Sequence, residues 1–142
     1  MKGSYILVIL IEKEIELVVG AVGKIKFQKG FYFYVGSAMG SYGSSTLANR
    51  VKRHLMNKDK KSTHWHIDYL LNVNKTKIIK IYLIPSIEPL ECFIARQLFE
   101  VSTNYIKNFG STDCKCKSHL FYFKNLHDFE YKTSNIDPNQ KR

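Results

Sequence analysis

Short apolar runs dominate the first part of the chain. Residues 5–11 and 15–19 are both apolar, and the acidic stretch between them predicts a hairpin turn. Residues 24–27 alternate between polar and apolar side chains, and residues 31–35 form a dense, β-prone aromatic run. We therefore expect the fold to begin with antiparallel strands.

A loop and a helix are predicted next. Residues 36–45 are rich in glycine and serine, which is typical of an irregular loop. Ser45 is a good N-cap for a helix in which apolar residues recur at helical spacing over 47–55. Arg50 and His54, four residues apart, then lie along one edge of that helix.

The remaining pattern alternates between helix and strand. A cap signal at residues 62–63 predicts a second helix over about 64–71, and residues 77–84 predict a strand. A proline begins the next helix, predicted over about 89–101, since its fixed φ suits the first helical position. Residues 120–123 predict the last strand.

Together these elements predict an α+β fold, a small antiparallel or mixed β-sheet flanked by α-helices. The length of 142 residues suits one core, so we expect a single domain over 1–132 and a flexible tail over 133–142. No apolar run approaches the about 20 residues that a membrane span needs. With three cysteines and no signal-peptide pattern, we expect reduced thiols, a cytoplasmic location and no membrane association.

The charge balance indicates a polyanionic partner. Lys and Arg number 22 against 12 Asp and Glu, which gives a formal charge of +10. Aromatic residues make up 13% of the chain, and they favour nucleic acid over a membrane surface because bases stack on aromatic rings. Most of these aromatic side chains must nevertheless belong to the hydrophobic core. Candidate nucleic-acid contacts are Gly36, Ser37, Lys52, Arg53, Lys58, Lys60 and Lys61. The alternative for the basic residues is an ordinary solvated face.

The order of several short motifs resembles the GIY-YIG nuclease superfamily. Gly-Ser-Tyr at residues 3–5 corresponds to its first tripeptide and Tyr-Val-Gly at residues 34–36 to its second. The spacing from Arg50 to His54 matches, and Glu91 follows on a later helix. Two departures are Ser in place of the usual Ile or Thr in the first tripeptide, and a longer gap between the tripeptides.

The chain is most similar to an archaeal-type branch of that superfamily, a branch of undefined function that is found alone or joined to an endonuclease III-like enzyme. The phrases that carry this resemblance are residues 34–38, 50–55, 64–70, 91–92 and 109–120. The resemblance implies a metal-dependent endonuclease that acts on DNA, in repair or in processing structured DNA, and a DNA-repair protein as a further partner.

The resemblance also implies a set of catalytic residues. They are Tyr5, Tyr34, Arg50, His54 and Glu91. Glu91 would hold one Mg²⁺ or Mn²⁺ ion, and Arg50 would bind the phosphate oxygens. Tyr5 or Tyr34 would be the general base; we favour Tyr5, with Tyr34 as its hydrogen-bonding neighbour and His54 as the onward proton acceptor.

Some of these residues have alternatives. An acidic residue at position 91 is stabilised by the helix dipole without any metal. The superfamily often has an Asn after its metal-binding Glu, and Asn104 stands at a compatible distance. Asn108 is nearly as suitable, and a helix-capping role would also explain Asn104.

A second group of residues offers soft metal ligands. It consists of Cys114, Cys116, His119, His64 and His66. These could bind zinc if the loop folds back on the second helix, but the spacing is not a standard zinc pattern. Buried thiols, a His64–Asp68 pair and a capping Asp113 explain the same residues, so zinc is the less favoured interpretation.

Two other functions fit the same sequence. One is a nucleic-acid-binding module without turnover, and the other is an accessory subunit of a repair enzyme. Loss of Arg50 or Glu91 would have favoured the first, but both residues are present.

Overall fold

The computed structural model describes residues 1–56, 65–127 and 129, and it has the predicted α+β architecture. The strands are β1 (Gly3–Ile11), β2 (Ile15–Val19), β3 (Gly23–Phe27), β4 (Gly30–Ala38), β5 (Thr76–Pro85), β6 (Asn104–Tyr105) and β7 (Leu120–Phe123). The helices are α1 (Leu47–His54), α2 (His66–Leu71) and α3 (Glu91–Val101).

Five strands form one antiparallel sheet in the order β5-β1-β4-β7-β6. Strand β1 lies inside this sheet and is buried on both faces, which explains its unbroken apolar run. In the β1–β4 register Tyr5 lies opposite Gly36, and Leu7 lies opposite Tyr34. The two motif tripeptides are therefore on adjacent strands.

The predicted hairpin between the first two apolar runs is wrong. Strand β2 pairs with β3 in a separate two-stranded sheet, whereas β1 pairs with β4 and β5. Because both edges of β1 are already hydrogen-bonded, β2 has no edge of β1 to join.

The core has two parts, one on each face of the large sheet. Helices α1 and α2 and the β2–β3 sheet cover one face, where Tyr5, Leu7 and Tyr34 are buried. Helix α3 covers the other face, where Phe33 and Val35 are buried. This alternation along β4 sends the odd- and even-numbered side chains to opposite layers.

Several predicted boundaries need correction. Strand β4 continues through residues 36–38, which were expected to be loop, because they pair with the start of β1. Thr46 rather than Ser45 caps α1, accepting a hydrogen bond from the Asn49 amide at 3.3 Å. The predicted cap at residues 62–63 and the tail over 133–142 lie outside the described residues.

Candidate functional site

A cleft of about 320 Å³ opens where β1 begins and β4 ends. Four of the five predicted catalytic residues line it, together with two predicted nucleic-acid contacts: Tyr5, Tyr34, Arg50, Glu91, Gly36 and Ser37. Trp65 and His66, at the start of α2, form part of the opposite wall. Strands and helices distant in sequence thus bring these residues to one place.

His54, the fifth predicted catalytic residue, lies behind Tyr5. The Tyr5 hydroxyl and His54 Nε2 are 2.6 Å apart, and both side chains are buried. Burial raises the pKa of Tyr5, and the nearby Arg50 guanidinium only partly offsets this effect. The hydroxyl is therefore protonated at neutral pH and is paired directly with an imidazole.

Tyr34 contacts the same pair through its ring. Its ring centroid lies 6.5 Å from that of Tyr5 and 6.2 Å from that of His54. Among the described residues no hydrogen bond joins the two tyrosines, so the expected hydrogen bond from Tyr34 to Tyr5 is not formed. Burial also raises the pKa of Tyr34.

Gly36 leaves the space that Tyr5 occupies. A Cβ at this position would collide with the ring and hydroxyl of Tyr5 on the neighbouring strand. The third residue of the second tripeptide therefore has a steric role in the site, because the tyrosine of the first tripeptide lies across it.

Helix α1 presents two arginines to Trp65. The Arg50 and Arg53 guanidinium carbons lie 4.9 and 4.4 Å from the indole centroid. Arg53 makes a bidentate pair with Asp68, with N–O distances of 2.9 and 3.0 Å. Arg50 donates to the Ser37 carbonyl at 3.0 Å, while its buried Nε has no partner within the described part of the chain.

Glu91 begins α3 and reaches the cleft from the other face of the sheet. Its Oε2 accepts a hydrogen bond from the Ser37 hydroxyl at 3.0 Å, and its Oε1 lies 2.9 Å from His119 Nδ1. The His119 contact is short, but its N–H is not aligned for a hydrogen bond. The Glu91 side chain is 28% exposed, so part of the carboxylate still faces solvent.

Next to Glu91 lies a group of side chains that could hold a metal ion, here called the Cys/His cluster: Cys92, Cys114, Cys116 and His119. The four ligand atoms all lie within 4.8 Å of one another. Burial raises the pKa of the Cys114 thiol. The predicted zinc set is corrected in one member, since His66 instead accepts a hydrogen bond from the Gly110 amide at 2.8 Å.

The other predicted contact residues are more scattered. Lys52 is exposed on α1, and Arg53 is engaged with the buried Asp68, so it is less available to a phosphate than expected. Asn104 is exposed on β6 and is not among the cleft-lining residues. Predicted residues outside the described ranges are Lys58, Lys60, Lys61 and His64.

A family model described as "Domain of unknown function DUF123" matches residues 4–140. The chain belongs to the DUF123 family. No curated protein and no solved structure is significantly similar to the chain. The match includes Ser4 and Tyr5 of the first tripeptide, the whole second tripeptide and the Cys/His cluster of this DUF123 domain. Within its described residues, the structure contains no helix with the length and apolar character of a membrane span.

Two features of the candidate site in this DUF123 domain were not predicted from the sequence. Cys92 is not among the predicted soft metal ligands, although the three cysteines of the chain all lie in the Cys/His cluster. Trp65 is not among the predicted site residues, yet it lines the cleft beside Arg50. The adjacency of Cys92 to Glu91 was the available signal for the first, because it places the thiol in the same first turn of α3 as the candidate site carboxylate.

Proposed function

We propose that this chain is a metal-dependent endonuclease of the GIY-YIG type that hydrolyses phosphodiester bonds of DNA in the cytoplasm. The observation that carries the proposal is the convergence of Tyr5, Arg50 and Glu91 on one cleft, with His54 behind Tyr5. These residues supply a proton acceptor, a cation for phosphate and a carboxylate for a metal, which phosphodiester hydrolysis requires.

Glu91 is suited to hold a single Mg²⁺ or Mn²⁺ ion. Each carboxylate oxygen has one protein contact, to Ser37 or to His119, and a carboxylate oxygen can accept more than one. Mg²⁺ is commonly held by one or two carboxylates with waters completing its shell. A bound ion would supply Lewis-acid stabilisation at the scissile phosphate and the leaving oxygen.

Tyr5 and His54 are arranged for a proton relay. Because the pKa of Tyr5 is raised, its hydroxyl is protonated before the reaction. It would therefore accept a proton only in a step in which it also loses its own. In this relay the water proton passes to the Tyr5 oxygen and the Tyr5 proton passes to His54 Nε2, 2.6 Å away. The products of the step are hydroxide and an imidazolium ion, so charge and protons balance.

Arg50 is the residue best suited to bind the phosphate. Its NH1 is fixed by the Ser37 carbonyl and its guanidinium lies 4.9 Å from the Trp65 ring centroid. The Arg50 side chain lines the cleft, so its guanidinium would donate to a non-bridging phosphate oxygen there. The formal charge of +10 and the exposed Lys52 would attract the rest of the DNA backbone.

The test is cleavage of end-labelled duplex, flap and branched DNA with Mg²⁺ or Mn²⁺. We expect metal-dependent cleavage that is lost in Glu91→Gln and in Arg50→Ala. The matched controls are Glu100→Gln on the same helix and Arg96→Ala, both at exposed positions, and these should cleave like the unaltered protein. Tight binding without cleavage on every substrate would instead identify a nucleic-acid-binding module.

A further inference from the structure

The Cys/His cluster contains four side chains of the types that bind zinc. We propose that Cys92, Cys114, Cys116 and His119 bind one zinc ion, which holds the His119 imidazole against Glu91 and so fixes the position of that carboxylate. Three cysteines and one histidine form a closed structural zinc set, with no position left for a substrate.

The distances within the Cys/His cluster agree with tetrahedral coordination. Zinc bonds of about 2.3 Å to sulfur and about 2.05 Å to nitrogen put a sulfur and a nitrogen ligand about 3.6 Å apart in a tetrahedron. Cys114 Sγ and His119 Nε2 are 3.5 Å apart. All four ligand atoms lie within 4.8 Å of one another, so a small contraction completes the shell.

The cluster joins two parts of the chain that are distant in sequence. Cys92 lies in the first turn of α3, where the N-cap residue Leu90 makes no side-chain capping bond. Cys114 and Cys116 lie in the long connection over 106–119, between β6 and β7. A connection of this length without its own helix or strand is uncommon unless it is functional. A zinc ion would fasten this connection to the start of α3.

The two nitrogens of His119 face different partners. Nε2 faces the Cys114 sulfur, and Nδ1 lies 2.9 Å from Glu91 Oε1. A zinc-binding histidine almost always donates its other N–H to a carboxylate, a carbonyl or water, which fixes the tautomer and the ring orientation. Coordination through Nε2 would therefore leave a proton on Nδ1, and a small ring rotation would align it on Glu91.

Zinc content is the first test, and it does not depend on nuclease activity. Protein purified under reducing conditions without chelator should contain one zinc per chain by plasma mass spectrometry. After exchange with Co²⁺, it should show the visible bands of tetrahedral cobalt and a thiolate-to-cobalt charge-transfer band. Substoichiometric zinc together with no tetrahedral cobalt spectrum would overturn the proposal, as would a stoichiometric content of iron.

Variants then test the ligand set. Cys92→Ser should lose most of the zinc, because it removes the ligand from α3. His66→Gln is the matched control, since His66 bonds to Gly110 and not to the cluster, and it should keep one zinc per chain. If Cys92→Ser fails to fold, the cobalt spectrum of the unaltered protein still decides, because its charge-transfer intensity follows the number of thiolate ligands.

The contact between His119 and Glu91 can be tested separately. Only its importance for catalysis rests on the proposed function. Long-range ¹H–¹⁵N spectra should show His119 protonated on Nδ1 with Nε2 coordinated. Glu91→Ala should still bind one zinc at saturation but with an affinity about 10–100-fold lower, the usual effect of removing such a partner. Protonation on Nε2, or an unchanged zinc affinity in Glu91→Ala, would overturn the link while leaving the nuclease proposal intact.

Discussion

Gly36 faces Tyr5 across the β1–β4 pair so closely that any Cβ at Gly36 would collide with the tyrosine ring and hydroxyl. The hydroxyl is thereby kept within 2.6 Å of His54 Nε2. One residue of the second tripeptide thus sets the position of a residue in the first.

Gly36→Ala should destabilise the protein and displace Tyr5. Inserting a methyl group into a packed site typically costs about 1–3 kcal/mol, and we expect a loss of this size in the free energy of unfolding. Urea denaturation followed by circular dichroism measures it. In a Tyr5→Ala background the same glycine substitution should cost much less; equal costs in both backgrounds would place the strain elsewhere.

Tyr5→Phe should reduce cleavage far more than it reduces stability. It removes the hydroxyl next to His54 and, with it, the proposed proton relay, so the cleavage rate should fall about 10²–10⁴-fold. The matched control is Tyr32→Phe, which removes a hydroxyl that donates to the Gln28 carbonyl at 2.9 Å. Burial raises the pKa of both tyrosines.

Each of these substitutions should cost about 1 kcal/mol of stability, the usual net value of one hydrogen bond. Only Tyr5→Phe should affect cleavage, as single-turnover kinetics can establish. Equal rate losses in the two variants would indicate a general effect of core hydroxyls and would count against the relay.

Arg53→Ala should act on stability, whereas Lys52→Ala should act on DNA binding. The Arg53 side chain is 22% exposed and pairs with a fully buried Asp68, so its removal should cost about 3–5 kcal/mol. Lys52 is exposed, and its replacement should change stability by less than about 0.5 kcal/mol.

The DNA affinity of the two variants can be compared by fluorescence anisotropy over a range of salt concentrations. If Lys52 contacts a phosphate, the slope of log affinity against log salt should decrease by about 0.9 in Lys52→Ala. A stable Arg53→Ala with a reduced salt slope would instead assign Arg53 to the DNA surface.

His66 should make stability decrease as the pH falls. Burial lowers the pKa of His66, and its Nδ1 accepts the Gly110 N–H, which requires the unprotonated nitrogen. The unfolded chain therefore binds the proton on this histidine more readily than the folded chain does. The stabilisation is complete above the unfolded pKa of about 6.5, and it is lost as the pH falls through that value towards the folded pKa. Unfolding midpoints of the protein and of His66→Gln, measured at pH 7.5 and 5.5, should converge at the lower pH. A constant difference would exclude this linkage.

Local patterns were sufficient to predict much of the fold. Strand β7 and the body of α3 follow from the apolar run over 120–123 and from the helical spacing after Pro89. The pairing of β1 did not follow, because strand partners are chosen by contacts distant in sequence. Strand β6 was missed because its two residues are too few to form a pattern.

The candidate site was predicted only in part, because some of its residues come together from positions distant in sequence. The ordered motifs identified Tyr5, Arg50 and Glu91, which line the same cleft. The fourth member of the Cys/His cluster was not identified, because Cys92 is separated from Cys114 by most of α3, β6 and a loop. Spacing rules for zinc ligands describe local loops and do not cover this arrangement.

Trp65 is the single tryptophan of the chain, and it lies in the cleft wall with two guanidinium carbons 4.9 and 4.4 Å from its ring centroid. When tryptophan is excited selectively, the fluorescence therefore comes from an indole next to Arg50, the residue proposed to bind the phosphate. Because Trp65 lines the cleft, its intrinsic fluorescence is a direct probe of ligand binding there, and neither partner needs an attached dye.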